Sequence, residues 1–291
     1  MSVRITATGA WDLLRAAANA VASVSAESSG QATTVTVDGA SLTVEPTGAW
    51  TTSAPSDPEA THLLDLFAPI AAAPGIVVGQ VGQSLDGRIA TESGDSHYVT
   101  GPGDIERLHR LRALVDAVVV GAGTAVSDDP RLTTRRAPGE NPLRVVLDPA
   151  GRVEPSGHLF RDGAAPTLWV RHGVPESPTP DHVEIMAPRE PDPGVIAPSW
   201  LLEMLEARGC RRVLVEGGGV TVSHFLAARA LDRLHVTVAP MVIGSGRPSL
   251  SLAPVATLAD ALRPACRHFT LGDDVLFDLD LRRVSGSRGA A

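Results

Sequence analysis

The feature that most constrains the fold of this 291-residue chain is a series of short apolar segments that alternate with helical patterns from about residue 75 onward. Several of them, such as Ala117–Val120, are continuous apolar runs without the polar alternation of a half-exposed strand. Such runs are typical of parallel strands that helices cover on both faces. The sequence therefore predicts an α/β fold, a three-layer α/β/α sandwich around a mostly parallel sheet.

Eight strands and four helices are predicted in this region. The strands are expected at Ile76–Val81, Ala117–Val120, Arg144–Leu147, Thr167–Val170, Val183–Met186, Arg212–Val215, Arg233–Ala239 and Val275–Leu281. The helices are expected at Gly103–Val115, Ser199–Arg208, Gly219–Ala230 and Leu258–Leu262.

The first 70 residues differ in pattern and carry no chemical motif. Their predicted elements are a helix near residues 10–24, a hairpin of Thr33–Val37 and Ser41–Val44 joined by the turn pair Asp38-Gly39, a linker over Pro46–Pro58, and a short helix around His62–Ile70. We therefore divide the chain into a small N-terminal appendage of unknown role (residues 1–70) and a main domain (residues 75–285).

Composition excludes several classes of function. All 25 basic residues are arginine, and the absence of lysine rules out side-chain Schiff bases and the P-loop lysine. Only Cys210 and Cys266 are present, neither in a CxxC pair, so no metal site is predicted. The net charge of −8 argues against nucleic-acid binding. The longest uncharged stretch, Leu66–Leu85, is interrupted by Pro and Gly and does not predict a membrane span.

Two glycine loops follow predicted strands. Gly121-Ala-Gly123 is a weak dinucleotide signature, because Val126 occupies the position of the third glycine. The loop Gly217–Gly219 is stronger: it joins a buried strand to a helix, where free amides and the helix dipole favour an anion such as pyrophosphate. Glu216 precedes this loop and would repel phosphate, so we expect it to bind a hydroxyl or amine of a second ligand.

Charged residues around the loops predict a polar cleft. Arg112 falls on the apolar helical stripe of Ile105, Leu108 and Val115, so it either extends its charged end to solvent or reaches a buried anion. The segment Asp128–Arg135 adds two carboxylates, two hydroxyls and two guanidinium groups. Open α/β sheets bind ligands at the C-terminal ends of their strands, where these groups are expected to lie.

Five motifs occur in a fixed order: Gln80-Val-Gly-Gln-Ser-Leu-Asp-Gly-Arg-Ile-Ala90, Gly94-Asp-Ser96-His-Tyr98, Leu111-Arg112-Ala113, Asp128-Asp-Pro-Arg-Leu132-Thr-Thr-Arg135 and Glu216-Gly-Gly218. Over about residues 75–280 they closely resemble the pyrimidine reductase family of riboflavin biosynthesis, the reductase half of the bifunctional deaminase-reductase. The family's zinc deaminase domain has no counterpart in this sequence.

The resemblance implies a dihydrofolate-reductase-like fold, an NADPH cofactor and a homodimer. A cytoplasmic location is expected because the pool of this cofactor is there. The family reaction reduces the ribosylamino side chain of 5-amino-6-(5-phosphoribosylamino)uracil, a phosphorylated pyrimidine, to ribitylamino. The implied substrate-binding residues are Ser96, Arg112, Leu132, Arg135 and Glu216. The implied cofactor-binding residues are Gly82, Tyr98, Thr124, Asp128, Gly218, Gly219, Val220 and Thr221, within a stretch that extends to His224.

We expect Arg112 and Arg135 to bind the sugar phosphate and Glu216 to accept hydrogen bonds from ribose hydroxyls. The proton donor is left open between Asp128, Glu216 and water.

The chain departs from the family pattern at two positions. Gln80 stands where many bacterial relatives have lysine, and Pro149, beside Asp148, stands where relatives offer a hydroxyl to the cofactor. Arg152 and Arg171 are alternative candidates for recognising the 2′-phosphate of NADPH. A reductase for another pterin- or pyrimidine-like substrate, and a non-catalytic ligand-binding module, remain alternatives.

Overall fold

The computed structural model describes residues 4–23, 30–96, 99–189, 194 and 196–282. The chain divides into two compact units, Met1–Ile76 and Val77–Ala291. The first unit contains, in chain order, α1 (Ala7–Ser23), β1 (Thr33–Val37), β2 (Ala40–Val44), β3 (Trp50–Thr52) and α2 (Pro58–Ala71). The three strands form an antiparallel sheet in the order β1-β2-β3.

The segment predicted as a linker, Pro46–Pro58, is structured. It contains β3, where Trp50 donates a hydrogen bond from its indole nitrogen to the Oδ1 atom of Asp65 at 2.9 Å. Asp57 caps α2 by accepting a hydrogen bond from the amide of Ala60 at 2.7 Å. The linker prediction was therefore wrong: part of the segment forms β3, and Pro58, its last residue, is the first residue of α2, a position that proline favours.

The second unit carries most of the regular structure. Its strands are β4 (Ile76–Ser84), β5 (Arg88–Thr91), β6 (Ala117–Gly121), β7 (Leu143–Leu147), β8 (Thr167–Val170), β9 (Val183–Met186), β10 (Arg212–Val215), β11 (Arg233–Ala239), β12 (Gly246–Pro248), β13 (Ala265–Leu271) and β14 (Asp274–Asp280). Its helices are α3 (Pro102–Arg112), α4 (Ala122–Asp128), α5 (His158–Arg161), α6 (Pro198–Ala207) and α7 (Gly219–Ala227), with a short 3-10 turn at Leu258–Asp260.

Nine of these strands form one sheet in the order β13-β14-β11-β4-β10-β6-β7-β8-β9. The pairs from β10 through β6, β7 and β8 to β9 are parallel, as is the pair of β4 with β11. β14 and β13 are antiparallel additions at one end. The mostly parallel sheet that we predicted is therefore confirmed. β5 and β12 form a separate two-stranded antiparallel ribbon.

Helices cover both faces of the sheet. Leu168 and Val170 of β8 belong to one core cluster with residues of α6 and α7. Trp169 lies between them and therefore points to the opposite face, where its ring meets that of Phe160 in α5 with 4.8 Å between centroids. Gln80 of β4 contacts α3 on that same opposite face. The architecture is the three-layer α/β/α sandwich that the sequence predicts.

The buried face of α3 differs from the prediction. The helix ends at Arg112, and its buried residues include Asp104, Arg107 and His109, whereas the apolar Leu108 is only half-buried. The predicted apolar stripe was wrong because charged residues at helical spacing here meet polar partners on the sheet. None of the helices in the described part of the chain is long and apolar enough to cross a membrane.

Candidate active site

Two strand-to-helix loops meet at one edge of the sheet. β6 and β10 are parallel neighbours, so the loops that follow them lie side by side. A Cβ atom on Gly121 would collide with the hydroxyl of Thr221, and one on Gly217 would lie 2.6 Å from the hydroxyl of Thr124. Gly217 also has a φ of +73°, which favours glycine. The structure thus brings Thr124 and Thr221, both predicted to contact the cofactor, to one crevice.

Gly219 is the tightest point of the second loop. A Cβ atom there would collide with the backbone oxygen of Ser249 and lie 2.7 Å from that of Pro248. Neither Gly218 nor Gly121, the N-cap residues of α7 and α4, provides a side-chain acceptor for the first helical amides. The amides of Gly219 and Val220, the first two residues of α7, therefore retain capacity for an anion, whereas the amide of Thr221 donates to the backbone oxygen of Gly218 at 3.0 Å. The side chain of Val220 is 80% exposed, so this residue offers the crevice its backbone rather than its side chain.

A buried ion pair lies beside the glycine loop. Arg112 donates from Nε to Oε1 of Glu216 at 2.7 Å and from Nη2 to Oε2 at 2.6 Å. Its third nitrogen, Nη1, donates to the backbone oxygen of Thr133 at 3.2 Å. Both charged residues are buried. Of the two possibilities for Arg112, it reaches a buried anion, and that anion is Glu216. The sequence pattern did not indicate that these two residues bind each other.

The segment after α4 wraps around this pair in an unusual backbone conformation. Asp129 has a φ of +40° and Leu132 a φ of +54°, and Leu132 is buried. A bulky residue at positive φ is strained, and such strain is held in place only where surrounding contacts demand it. Asp128, the last residue of α4, precedes this segment. Its Oδ1 atom accepts a hydrogen bond from the hydroxyl of Ser96 at 3.1 Å, so these two predicted site residues are in contact.

Positive charge accumulates at this end of the cleft. Partial burial, followed by the nearby charges of Arg112, Arg131 and Arg136, lowers the pKa of Arg135. Within the described residues, no carboxylate lies at ion-pairing distance from Arg135. Burial, followed by the charges of Arg112, Arg135 and Arg136, lowers the pKa of His109 to about 4, so this buried histidine is neutral at pH 7. A cluster of this charge favours an anionic ligand.

Gln80 faces α3 instead of the glycine loops. Its side-chain oxygen accepts a hydrogen bond from Nη2 of Arg107 at 2.6 Å, and Arg107 also contacts Nδ1 of His235 at 3.1 Å and Oδ1 of Asp104 at 2.8 Å. Sequence reasoning missed this buried network. Its signal in the sequence is the i, i+3 spacing of the oppositely charged Asp104 and Arg107 on one helix.

Gly82 lies on the same strand, where a Cβ atom would come within 2.8 Å of the Thr100 side chain. Tyr98, the aromatic residue predicted to contact the cofactor, lies outside the described residues. The individual roles of all these residues remain predictions.

The mostly parallel sheet and the glycine loops at one of its edges define an α/β/α protein with a polar cleft. A family model described as the RibD C-terminal domain matches residues 76–277. The chain belongs to the RibD C-terminal domain family, which confirms the predicted resemblance.

Named relatives agree with this assignment. The chain is 36% identical over 219 residues to the 2,5-diamino-6-ribosylamino-4(3H)-pyrimidinone 5′-phosphate reductase of Methanothermobacter thermautotrophicus, covering 71% of this chain and 98% of the relative. An enzyme of the same name from Archaeoglobus fulgidus is 34% identical over 179 residues, covering 58% and 81%.

A solved structure extends the likeness to three dimensions. The deaminase/5-amino-6-(5-phosphoribosylamino)uracil reductase of Thermotoga maritima has a TM-score of 0.61 and 26% identity, with 76% of this chain and 61% of that chain covered. The chain spans about half the length of the curated RibD proteins that it matches.

Proposed function

We propose that this protein uses NADPH to reduce the ribosylamino side chain of 5-amino-6-(5-phosphoribosylamino)uracil to ribitylamino in riboflavin biosynthesis. The observation that carries the proposal is the buried pair of Arg112 and Glu216. This pair joins the glycine loop to a cationic end of the cleft, where Arg135 has no carboxylate partner among the residues that the structure describes. A ligand with hydroxyl groups and a phosphate matches this combination of charges.

The glycine loops fit a dinucleotide. Gly217 and Gly219 occupy positions that a Cβ atom would obstruct, and the start of α7 presents the amides of Gly219 and Val220, which are suited to a pyrophosphate. Thr124 and Thr221 add hydroxyl groups at the same place. When bound, the cofactor supplies a hydride, the chemistry that the protein itself lacks.

The protein would contribute substrate placement and proton handling. In our proposal Arg135 binds the phosphate, and the Arg112–Glu216 pair orients the sugar hydroxyls so that C1′ of the ring-opened imine is held in place. Both oxygens of Glu216 already accept hydrogen bonds from Arg112, whereas exposed Asp128 accepts one from Ser96. Asp128 is therefore the carboxylate of the two that we assign to proton transfer.

A second candidate substrate is the 2,5-diamino-6-ribosylamino-4(3H)-pyrimidinone 5′-phosphate that names the two archaeal relatives. The length of the alignment favours this substrate, because the matched region covers 98% of the Methanothermobacter enzyme. Both compounds carry the same ribosyl phosphate and differ on the pyrimidine ring. The Arg135 and Glu216 contacts that we propose would serve either of them.

We further propose that the protein acts as a cytoplasmic homodimer. β13 is an edge strand whose residues are mostly exposed, and the segment before it displays apolar side chains to solvent. These are Leu252, Val255, Leu258 and Leu262, which we call the apolar arm. An exposed strand edge next to apolar side chains is suited to pairing with a second copy of the chain.

The experiment that tests the function follows NADPH oxidation by the purified protein under anaerobic conditions with each of the two phosphorylated pyrimidines in turn. We expect substrate-dependent oxidation and a ribityl product with at least one of them. Oxidation with dihydrofolate but with neither pyrimidine would redirect the assignment to another pterin-like substrate. Nucleotide binding without turnover of any of these compounds would overturn the enzymatic proposal.

A further inference from the structure

The ends of β7 and β8 form a second polar site at the edge that carries the glycine loops. In sheet order these strands follow β6, so their C-terminal ends continue the line along which a bound dinucleotide would extend. Neighbouring strands lie about 4.8 Å apart, which puts the end of β8 about 10 Å from the first glycine loop. Asp148 directly follows β7, and Arg171 directly follows β8.

The carboxylate of Asp148 is buried and hydrogen-bonded within the protein, so a ligand cannot reach it. The residue is completely buried, and it accepts hydrogen bonds from the amides of Arg152 at 2.8 Å and Val153 at 3.0 Å. It also accepts one from the indole nitrogen of Trp169 at 3.1 Å. NAD-binding proteins of related architecture place a free carboxylate near this position to bind the ribose 2′-hydroxyl. Here that carboxylate is used to fold the loop of residues 148–153.

Arg171 is held in a defined position beside that loop. Its guanidinium carbon lies 4.4 Å from the centroid of the Trp169 ring, and its Nε donates to the backbone oxygen of His172 at 3.3 Å. A Cβ atom on Gly151 would lie 2.7 Å from Nη2 of Arg171, so a glycine with φ of +63° is needed for this approach. Among the described residues, no carboxylate pairs with Arg171.

We infer that Arg171, stacked on Trp169, binds the 2′-phosphate of the cofactor and makes the enzyme select NADPH over NADH. A stacked guanidinium whose two Nη groups have no hydrogen-bond partner in the described part of the chain is preorganised for a doubly charged phosphate. A buried and fully bonded Asp148 offers nothing to the free 2′-hydroxyl of NADH. Exposed Arg152, across the same loop, adds a second cation. This inference rests on the proposed function, because it requires a dinucleotide at the glycine loops.

The test is calorimetric titration of the protein with NADPH, NADH and 2′,5′-ADP. In the Arg171→Ala and Arg171→Gln variants we expect the affinity for NADPH and for 2′,5′-ADP to fall about 10- to 100-fold, the loss of a charge-assisted hydrogen bond. The affinity for NADH should stay unchanged, which also shows that both variants are folded. The glutamine variant keeps a planar end group that can lie over Trp169. Arg161→Ala, which removes an exposed arginine of the same unit, should alter none of the three affinities.

The outcomes separate the two proposals. Equal wild-type affinity for NADPH and NADH, or equal losses for both in the Arg171 variants, would overturn the inference and leave the reductase proposal standing. Binding of neither dinucleotide by the wild-type protein would overturn both.

Discussion

The guanidinium of Arg112 closes on the carboxylate of Glu216 through two hydrogen bonds of 2.7 Å and 2.6 Å, although the residues lie 104 positions apart. The pair links α3 to the residue that starts the glycine loop. Both side chains are buried, so removing either one would leave the charge of the other buried without a counter-charge. The same contact therefore bears on the stability of the fold and on the shape of the cleft.

Replacing Arg112 with Ala should lower the free energy of unfolding by about 3–5 kcal/mol, because the change leaves Glu216 buried without its partner. Chemical denaturation measures this loss. The matched control is Arg208→Ala, which breaks the more exposed bidentate pair with Glu184 and should cost less than about 1 kcal/mol. The Arg112→Met, Glu216→Leu double variant should regain most of the lost stability. Equal losses for the two arginine variants would contradict a stabilising role for the buried pair.

Replacing Arg135 with Ala should weaken binding of the phosphorylated pyrimidine about 10- to 100-fold, because a charge-assisted hydrogen bond to phosphate is lost. Affinity for the dephosphorylated compound should not change, and neither should the free energy of unfolding. Steady-state KM and equilibrium titration measure both compounds. Arg136→Ala provides the comparison, since it removes a neighbouring exposed guanidinium that we do not assign to the phosphate. A similar loss with both compounds would show that Arg135 does not read the phosphate.

Four strands of the large sheet could be predicted from the sequence to the residue, and four others to within one to three residues. The bounds of β8, β9, β10 and β11 agree with the expected ones, because an apolar run flanked by polar or turn residues defines a buried strand locally. β13 was missed because most of its residues are exposed and no apolar run marks it. Its strand state depends on pairing with β14, which is a tertiary property.

The glycine loops of the candidate site could be predicted from the sequence, whereas the ion pair between Arg112 and Glu216 could not. The loops around Gly121 and Gly217 were found because glycines after apolar strands are a local signal. The contact of Arg112 with Glu216 joins distant elements, so helical spacing could show only that Arg112 points inward. The assignment of Leu108 to the buried face was wrong because Arg107, with partners on β4 and β11, takes that place.

Replacing Gly219 with Ala should abolish dinucleotide binding. The new methyl group would collide with the backbone oxygens of Pro248 and Ser249, and backbone atoms cannot move aside as the end of a flexible side chain can. Isothermal titration with NADPH measures the loss. Gly123→Ala is the control for folding, since a Cβ atom there meets nothing within 4 Å. Gly123 is the second residue of α4, where this change should be neutral or stabilise the protein by up to about 1 kcal/mol. Unchanged nucleotide affinity in Gly219→Ala would place the pyrophosphate elsewhere.

The exposed apolar arm predicts a concentration-dependent dimer. Replacing Leu258, which is 79% exposed, with Asp should shift the protein towards monomer in sedimentation velocity, because a charge would be buried at the interface. Val174→Asp changes a residue that is 83% exposed outside the arm and should leave the sedimentation profile unchanged. A wild-type protein that sediments as a monomer at all concentrations would refute the dimer.

Acid should destabilise the protein through His109, and the loss should begin above the pH range in which ordinary carboxylates titrate. Burial, together with the charges of Arg112 and Arg135, lowers the pKa of His109 from 6.5 to about 4. Between these two pH values the unfolded chain binds a proton at His109 that the folded protein does not bind. The contribution of His109 to the free energy of unfolding is therefore fully present above pH 6.5 and is lost as the pH falls towards 4. At about 1.4 kcal/mol per pH unit, the loss attributable to His109 reaches about 3 kcal/mol near pH 4.

Denaturation curves recorded across this pH window measure the slope. In His109→Gln the slope should become shallower without vanishing, because burial also lowers the pKa of His235 and gives a contribution of the same sign. His268→Gln removes an exposed histidine and should reproduce the wild-type slope. An unaltered slope in His109→Gln would mean that His109 takes up its proton in the folded protein as readily as in the unfolded chain, and that the surrounding guanidinium charges do not act on it.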